Sequence, residues 1–475
     1  MTTTLATVYA DFCAGLQPRD IPDDVRRCAQ WHVVDSIGVA IAAADPQEST
    51  GAALRKAAQS WSDASAAATV LGTGLRLRPE TAALINGSLA QALEMDDKHG
   101  SSLARPGSTV IPAALAVAEQ RDHSMRDLLT SVTAGYEVMI RLGYVAGKRF
   151  LARGYHTSAL IGGFGAVAAV GNLNALDAAR ISDAFGIAGT FASGIQESTR
   201  TGSTSKVLHG GWDAHSGIIA VDLATSGITG PNSVFEGEFG FFTTHLTPIE
   251  GALDWSTPAA GLGSHWYLPE TAVKPFPCCQ LLHAFIVGIK DLRIDLDAAG
   301  VTVAEVDAIT CRLAEPGLTL VTQPAERKLR PTEPHEARFS LPYVVAHTLM
   351  HGDVDLSTFR AAALADDAVH ALAAKVSTGE DPESDYPAHC PAVIDIQAGG
   401  LSFHRRVPFH PGSPEAPLTE DDILDKFERN TSWLLGPTAR KVGAEMAALP
   451  EEAKVTELTR VLDGAVLASS GGIDV

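Results

Sequence analysis

The stretch Asn86–Pro112, NGSLAQALEMDDKHGSSLARPGSTVIP, decides how the rest of the chain is read. It begins as an Ala/Leu-rich helix and breaks into a polar run holding Asp96, Asp97, Lys98, His99 and Arg105. It re-enters an apolar helix after Gly107 and Ser108. Loops held between rigid elements often carry chemistry, so a dense set of titratable groups between two apolar helices marks a site candidate. The bland alternative is a solvated connection rich in charge. Upstream, Pro79 suits a helix start, where its missing N–H costs nothing. Leu84, Ile85, Leu89, Ala92 and Leu93 then fall on one buried face. Gly87 inside that helix costs roughly 1 kcal/mol relative to Ala unless a neighbour packs closely against it, so a close helix approach is expected there. Downstream, Ser108 is expected to cap the helix through IPAALAVAE.

Two further breaks share this form. RGYHTSALIGGFGAVAAVG (153–171) sets Tyr155 and His156 ahead of an Ala/Gly-rich helix, too small and apolar for a surface position and therefore expected at the centre of a bundle. QESTRTGSTSKVLHGGWDAHSG (196–217) sets Ser203, Lys206, His209 and His215 among small residues before another apolar helix. Helix N-termini present free N–H groups and partial positive charge, so clustered ends with Lys and Arg suit a carboxylate-bearing ligand. Asp97, His99 and His156 are the proton-transfer candidates, since histidine titrates nearest to physiological pH. Asp96, Arg105, Tyr155, Ser203 and His209 are the substrate-contacting candidates. Against each single histidine stands the plain reading of a satisfied structural residue.

At 475 residues the chain exceeds the usual limit of one core, so two domains are expected. Hydrophobic residues make up 45% and charged residues 19%, enough for large buried cores. A formal charge of -20 argues against non-specific affinity for nucleic acid or anionic membranes, but leaves room for a basic pocket and a small acidic substrate. The start shows no basic-then-apolar export pattern, and no apolar run is long enough to span a bilayer; a cytoplasmic protein is expected. The six cysteines form no C-x-x-C pair, and adjacent Cys278 and Cys279 lack the spacing of a zinc or iron–sulfur site. Reduced, packed thiols and no metal are the expectation.

In chain order, residues 1–265 read as helical, with RRCAQWHVVDSIGVAIAAA periodic near the start and Ser124/Asp127 as a capping-box variant. GTGLRLRPE (72–80) reads as a turn. The character changes near Trp266. VDAITCRLAEP (306–316) and AVIDIQAGGLSFHRRVPF (392–409) read as strands, the second a hairpin about Gly399-Gly400, while the segments between them, to Val376, read as helices. The expected fold is mainly α: a helical domain over 1–265, a smaller α+β domain over 266–410, and C-terminal helices over 411–475 that return to the first domain.

Five segments together carry a resemblance. ALEMDDKHG with RPGSTVIPAALA, GYHTSALIGGFGAVAAVG, SKVLHGGWDAHSG, VKPFPCCQLLHA and PTEPHEARFSLPYVVA resemble, in that order, the MmgE/PrpD family, which includes 2-methylcitrate dehydratase, cis-aconitate decarboxylase and iminodisuccinate epimerase. The resemblance implies a large all-helical domain built from both chain ends, a smaller inserted α+β domain, a homodimer, and an active site between the domains that uses no metal or organic cofactor. By motif position, Asp97 or its neighbour Asp96, His156, Lys206 and Lys274 fall where the decarboxylase branch has functional residues. Two departures stand out. Arg105 replaces the family's loop histidine, and no tyrosine lies between Leu318 and Glu333, where the decarboxylase branch supplies one.

The expected function is therefore a lyase of dehydratase type, acting on a small di- or tricarboxylic acid by abstracting a proton beside a carboxylate. Lys206, Lys274 and Arg105 hold carboxylates, His156 is base or acid, Asp97 orients a neighbour, and His99 is a second proton-transfer candidate. Epimerisation and cis-aconitate-type decarboxylation are the alternatives. From other classes, an inactive carboxylate-binding protein and a metal-dependent hydrolase using Asp96, Asp97 and His99 stay open.

Overall fold

The computed structural model describes residues 3–62, 67–249 and 251–470. Its buried apolar side chains form two clusters. One gathers residues from Leu5 to Leu268 and again from Ile423 to Leu462; the other runs from Phe276 to Val407. Both ends of the chain thus feed one helical core, and the middle builds a second. The observed class is the expected one, mainly α with a small sheet-bearing portion. Among the described residues no helix is long and apolar enough to cross a membrane.

Small residues set the helical core. The helix Thr157–Leu173 is almost wholly buried, as its composition predicts, between the helices Met125–Ala146 and Leu208–Thr225. A Cβ on Gly165 would stand 2.9 Å from that of Met139, and one on Gly217 would stand 2.4 Å from that of Ala166, so the backbones approach too closely for larger side chains. The contact expected at Gly87 is with Gly211: the helices Pro79–Ala92 and Leu208–Thr225 meet there, and a Cβ on Gly211 would lie 2.0 Å from the Leu84 carbonyl oxygen. This approach fixes the two chain segments that carry Glu94 and Lys206.

The C-terminal helices Glu420–Leu435 and Ala439–Ala447 close the core. Phe427 fills the gap left by Gly38 and Gly443, and Arg27 clasps Glu420 at 2.8 Å. Ser124 and Asp127 form the capping box read from sequence.

The second core is a four-stranded sheet in the order 376–380, 306–313, 392–398, 401–407, its first pair parallel and the others antiparallel. The hairpin turns at Gly399 and Gly400, both at positive φ (57° and 74°), which a two-residue turn demands and glycine supplies. The helix His283–Ala298 packs against this hairpin, and Gly288 admits the Ile394 side chain.

Three expectations change. Residues Val376–Glu380 form a strand rather than a helix end; VSTGE is too short for periodicity to reveal, and its pairing with 306–313 decides its state. The turn expected over 72–80 belongs to a small hairpin, Ala68–Val70 with Leu75–Leu77. Ser108 does not cap the following helix, whose N-cap is Thr109 without a side-chain bond; its hydroxyl instead reaches Asp96 Oδ2 at 3.3 Å.

Replacing Gly211 by Ala should lower stability by about 1–3 kcal/mol, since the new methyl meets backbone that cannot give way. Gly15→Ala, with nothing within 4 Å of the added Cβ, should stay within about 0.5 kcal/mol. Urea midpoints at constant m-value measure both.

Candidate active site

The helix Pro79–Ala92 ends at Leu93, and Glu94 follows in the left-handed region (φ 54°), a post usually given to glycine. That turn lifts the chain off the helix and sends Glu94, fully buried, towards Lys206, with which it forms an ion pair. Lys274, at the entry to the second core, donates to the Glu94 carbonyl at 3.1 Å and to Asp96 Oδ1 at 3.2 Å. Arg105 spans the group: Nη2 lies 3.8 Å from Glu94 Oε2, Nε 4.0 Å from Asp96 Oδ2, and Nη1 3.0 Å from His156 Nε2.

A guanidinium only donates, so His156 Nε2 accepts and the imidazole proton sits on Nδ1. That proton is shared with His209 Nδ1 at 3.0 Å, which leaves His209 protonated at Nε2. His156 precedes the first turn of the central helix and makes no cap bond, which leaves its ring free for the cluster.

The charges explain the protonation states. Burial opposes ionisation of Glu94, but Lys206, Arg105 and Lys274 outweigh it and hold the carboxyl well below its usual range. Burial, then Lys206 and Arg105, push His156 well below an ordinary histidine. The same causes bring His209 down to about 4. His335, from the second core, is brought down to about 4 by burial, against the attraction of Glu94. Neutral imidazoles therefore stand among fixed cations. Several buried polar atoms here lack a hydrogen bond: Glu94 Oε2, Arg105 Nε, Gln91 Nε2, Thr157 Oγ1 and both ring nitrogens of His335. Such atoms are costly, and their gathering around one cluster is what a polar ligand would satisfy.

Of the residues singled out from sequence, the structure brings together Asp96, Arg105, His156, Lys206, His209 and Lys274. It separates four others. Asp97 points into the helical core, accepting from Gly107 N–H at 2.8 Å and the Tyr136 hydroxyl at 2.6 Å, with His32 Nδ1 at 2.8 Å. Asp96, not Asp97, faces the cluster. His99 Nδ1 bonds the Ser102 hydroxyl at 2.9 Å, and its ring stands edge-on to Tyr144 and Tyr267. Lys98 and His99 form a two-residue strand paired with Thr271–Ala272, so successive side chains diverge and His99 leaves the cluster. The Tyr155 ring packs on His245, and Ser203 is exposed, its hydroxyl 3.4 Å from that of Thr201. Among the described residues no group of three or more His, Cys, Asp and Glu side chains could hold a metal ion, and Asp96, Asp97 and His99 diverge rather than converge on one.

The sequence reading missed Glu94, His335 and Tyr386. Glu94 was legible as a third acid two residues ahead of the Asp pair, and His335 lies inside PTEPHEARF. Tyr386 has no such signal: it arrives from the loop after the strand 376–380, where burial raises its phenol and Arg105 acts on it.

Comparison with known proteins identifies two family domains in the chain. A model of the MmgE/PrpD N-terminal domain matches residues 8–250, and one of the C-terminal domain matches residues 276–451. A cis-aconitate decarboxylase-like protein of Aspergillus oryzae is 29% identical across 98% of this chain and 100% of its own length. A cis-aconitate decarboxylase of Aspergillus terreus is 30% identical over 60% of each chain, and that of Mus musculus 25% identical over 98% of this chain and 94% of its own.

His209 and His335 bind protons less readily folded (about 4) than at the ordinary 6.5, so the unfolded chain gains protons first as pH falls. Stability should therefore drop from about pH 6.5 towards about pH 4, by up to about 1.4 kcal/mol per pH unit for each histidine. Urea titrations across this range should show that slope, and His335→Gln should lessen it by one histidine's share.

Proposed function

The chain belongs to the MmgE/PrpD family, and from that premise we propose that it is a lyase acting on a small di- or tricarboxylic acid at the carbon beside a carboxylate. One observation carries this reading: the lone pair of a neutral His156 is met at 3.0 Å by Arg105, with Lys206 and Lys274 around the same carboxylates. A substrate carboxylate taken by Arg105 through two parallel hydrogen bonds draws the guanidinium away from Nε2. The freed imidazole then faces the adjacent carbon and removes its proton. Negative charge spreads onto the carboxylate as an enediolate-like species, which Arg105, Lys206 and Lys274 stabilise. In dehydration the C–O bond at the neighbouring carbon breaks, and the hydroxyl leaves as water with the proton returned by His156.

Decarboxylation is the second reading, favoured by the names of the relatives from Aspergillus and mouse. There the C–C bond to a carboxylate breaks, carbon dioxide departs with the bond electrons left on the substrate, and protonated His156 supplies the proton to carbon. The cations that depress His156 also receive the substrate's negative charge, so binding raises its proton affinity and equips it as an acid. Arg105, in place of a second imidazole, binds rather than transfers a proton.

The homodimer is also a proposal. Leu208 and Trp212 are exposed one turn apart on the helix that carries His209, and Ile195 follows Gly194, which lies beside His209. We assign this apolar face to a second copy of the chain.

Proton NMR in heavy water with 2-methylcitrate, cis-aconitate and iminodisuccinate tests the reaction. A new alkene signal means dehydration, itaconate means decarboxylation, and deuterium beside a carboxylate with changed stereochemistry means epimerisation. His156→Gln should lower kcat by about 100-fold or more with an unchanged Tm; full activity would remove the histidine from the mechanism. Light scattering should return twice 49.8 kDa, and Trp212→Glu should return the monomer.

A further inference from the structure

Two of the five buried lysines, Lys98 and Lys328, have no carboxylate partner among the described residues, and Lys328 stands over the Phe339 ring at 5.8 Å from its centroid. Lys206, Lys274 and Lys426 each have a carboxylate, Glu94, Asp96 and Asp35 respectively. Lys98 is 7% exposed, and among the described residues no carboxylate or hydrogen-bond acceptor reaches its amine. Its strand partner is Ala272, two residues before Lys274, which seats it on the side of the cluster that faces the second core. Burial lowers its proton affinity, and the Arg105 and Lys274 charges lower it further. Cys390 and His410, both of which feel Lys98, also line an adjoining cavity of about 230 Å³.

A largely buried ammonium without a carboxylate beside it is costly, and an anion brought to it lowers that cost. The formal charges point the same way. Arg105, Lys206 and Lys274 exceed Glu94 and Asp96 by one positive charge, which one substrate carboxylate neutralises. Lys98 adds a second.

We propose that Lys98 is a separate carboxylate subsite, so that the substrate carries a second carboxylate, directed to the side of Cys390 and remote from the one held by Arg105. The inference rests on the carboxylate reading of the site and deepens it. The acid is at least dianionic, and the remote carboxylate selects it over monoacids of equal size. Lys98 positions the chain of the substrate; His156 does the proton transfer.

Calorimetric titration with glutarate and with its monoamide glutaramate tests this, because the two differ by one charge and hardly in shape. Wild-type protein should bind glutarate at least about tenfold tighter. Lys98→Met should remove that preference while changing glutaramate affinity less than about twofold, and Lys98→Arg should restore it. The Tm of Lys98→Met should equal or exceed that of the wild type, since an unpaired buried charge is gone. Equal binding of glutarate by wild type and Lys98→Met overturns the subsite alone. Binding of neither acid by the wild type overturns the subsite, and if no acid of the turnover panel is converted either, the carboxylate reading falls with it. Lys98-dependent glutarate binding without turnover of any panel acid leaves the subsite standing and removes the proposed reaction.

Discussion

A carboxylate and an imidazolium, both almost sealed from water, hold the loop on which the site is built. Burial works against the charge on His32, but Asp97 at 2.8 Å raises it to about 10, and the pair is ionised. Tyr136 and the Gly107 N–H donate to the Asp97 carboxylate, so its desolvated charge is met by two hydrogen bonds as well as by the neighbouring imidazolium. Losing one partner of such a pair costs about 3–5 kcal/mol, because the other is left buried and alone. The loop it fixes runs from Asp96 to Ser108. One face of that loop is locked into the helical core by Asp97, and the other presents Asp96 and Arg105. A second buried pair, Lys426 with Asp35 at 2.6 Å, brings the C-terminal helix to the same place, where Lys426 also donates to the Met95 carbonyl at 3.3 Å. The short segment from Glu94 to Asp97 is thus held by helices from both ends of the chain.

Against that rigidity, the cluster itself is poor for stability. Neutral histidines lie among cations, polar atoms lack partners, and Glu94 sits in a backbone region that non-glycine residues rarely adopt. Each is a local loss, and all fall within one group of side chains drawn from both cores. Stability given up in one place and recovered elsewhere is how a site keeps a geometry that the isolated segment would abandon.

The sequence revealed the fold through features that act locally. Apolar periodicity, the Gly-Gly hairpin turn and the Ser124/Asp127 cap are written within a few residues. Gly87 even announced the helix contact it makes, because glycine there is costly without one. The strand Val376–Glu380 was hidden, since its state depends on a partner some seventy residues away. The site was legible in the same degree. Basic and acidic residues between apolar helices marked Arg105, His156 and Lys206. Which of Asp96 and Asp97 turns inward is set by His32, and sequence distance does not show it. His99 looked like chemistry and is tied up locally by Ser102, whereas Glu94 looked like a helix end and meets Lys206.

The helical core closes only when residues beyond Ile423 arrive, because Phe427 fills the space beside Gly38. On the ribosome, therefore, the first helices wait with apolar faces uncovered while the stretch from Leu268 to Ile423 is made. At roughly 5–20 residues per second that wait lasts on the order of ten to thirty seconds. The middle segment has its own core and can fold meanwhile, so the order of maturation runs from the inside of the chain outward. The apolar faces of the first domain's helices are accordingly the surfaces left uncovered longest during synthesis.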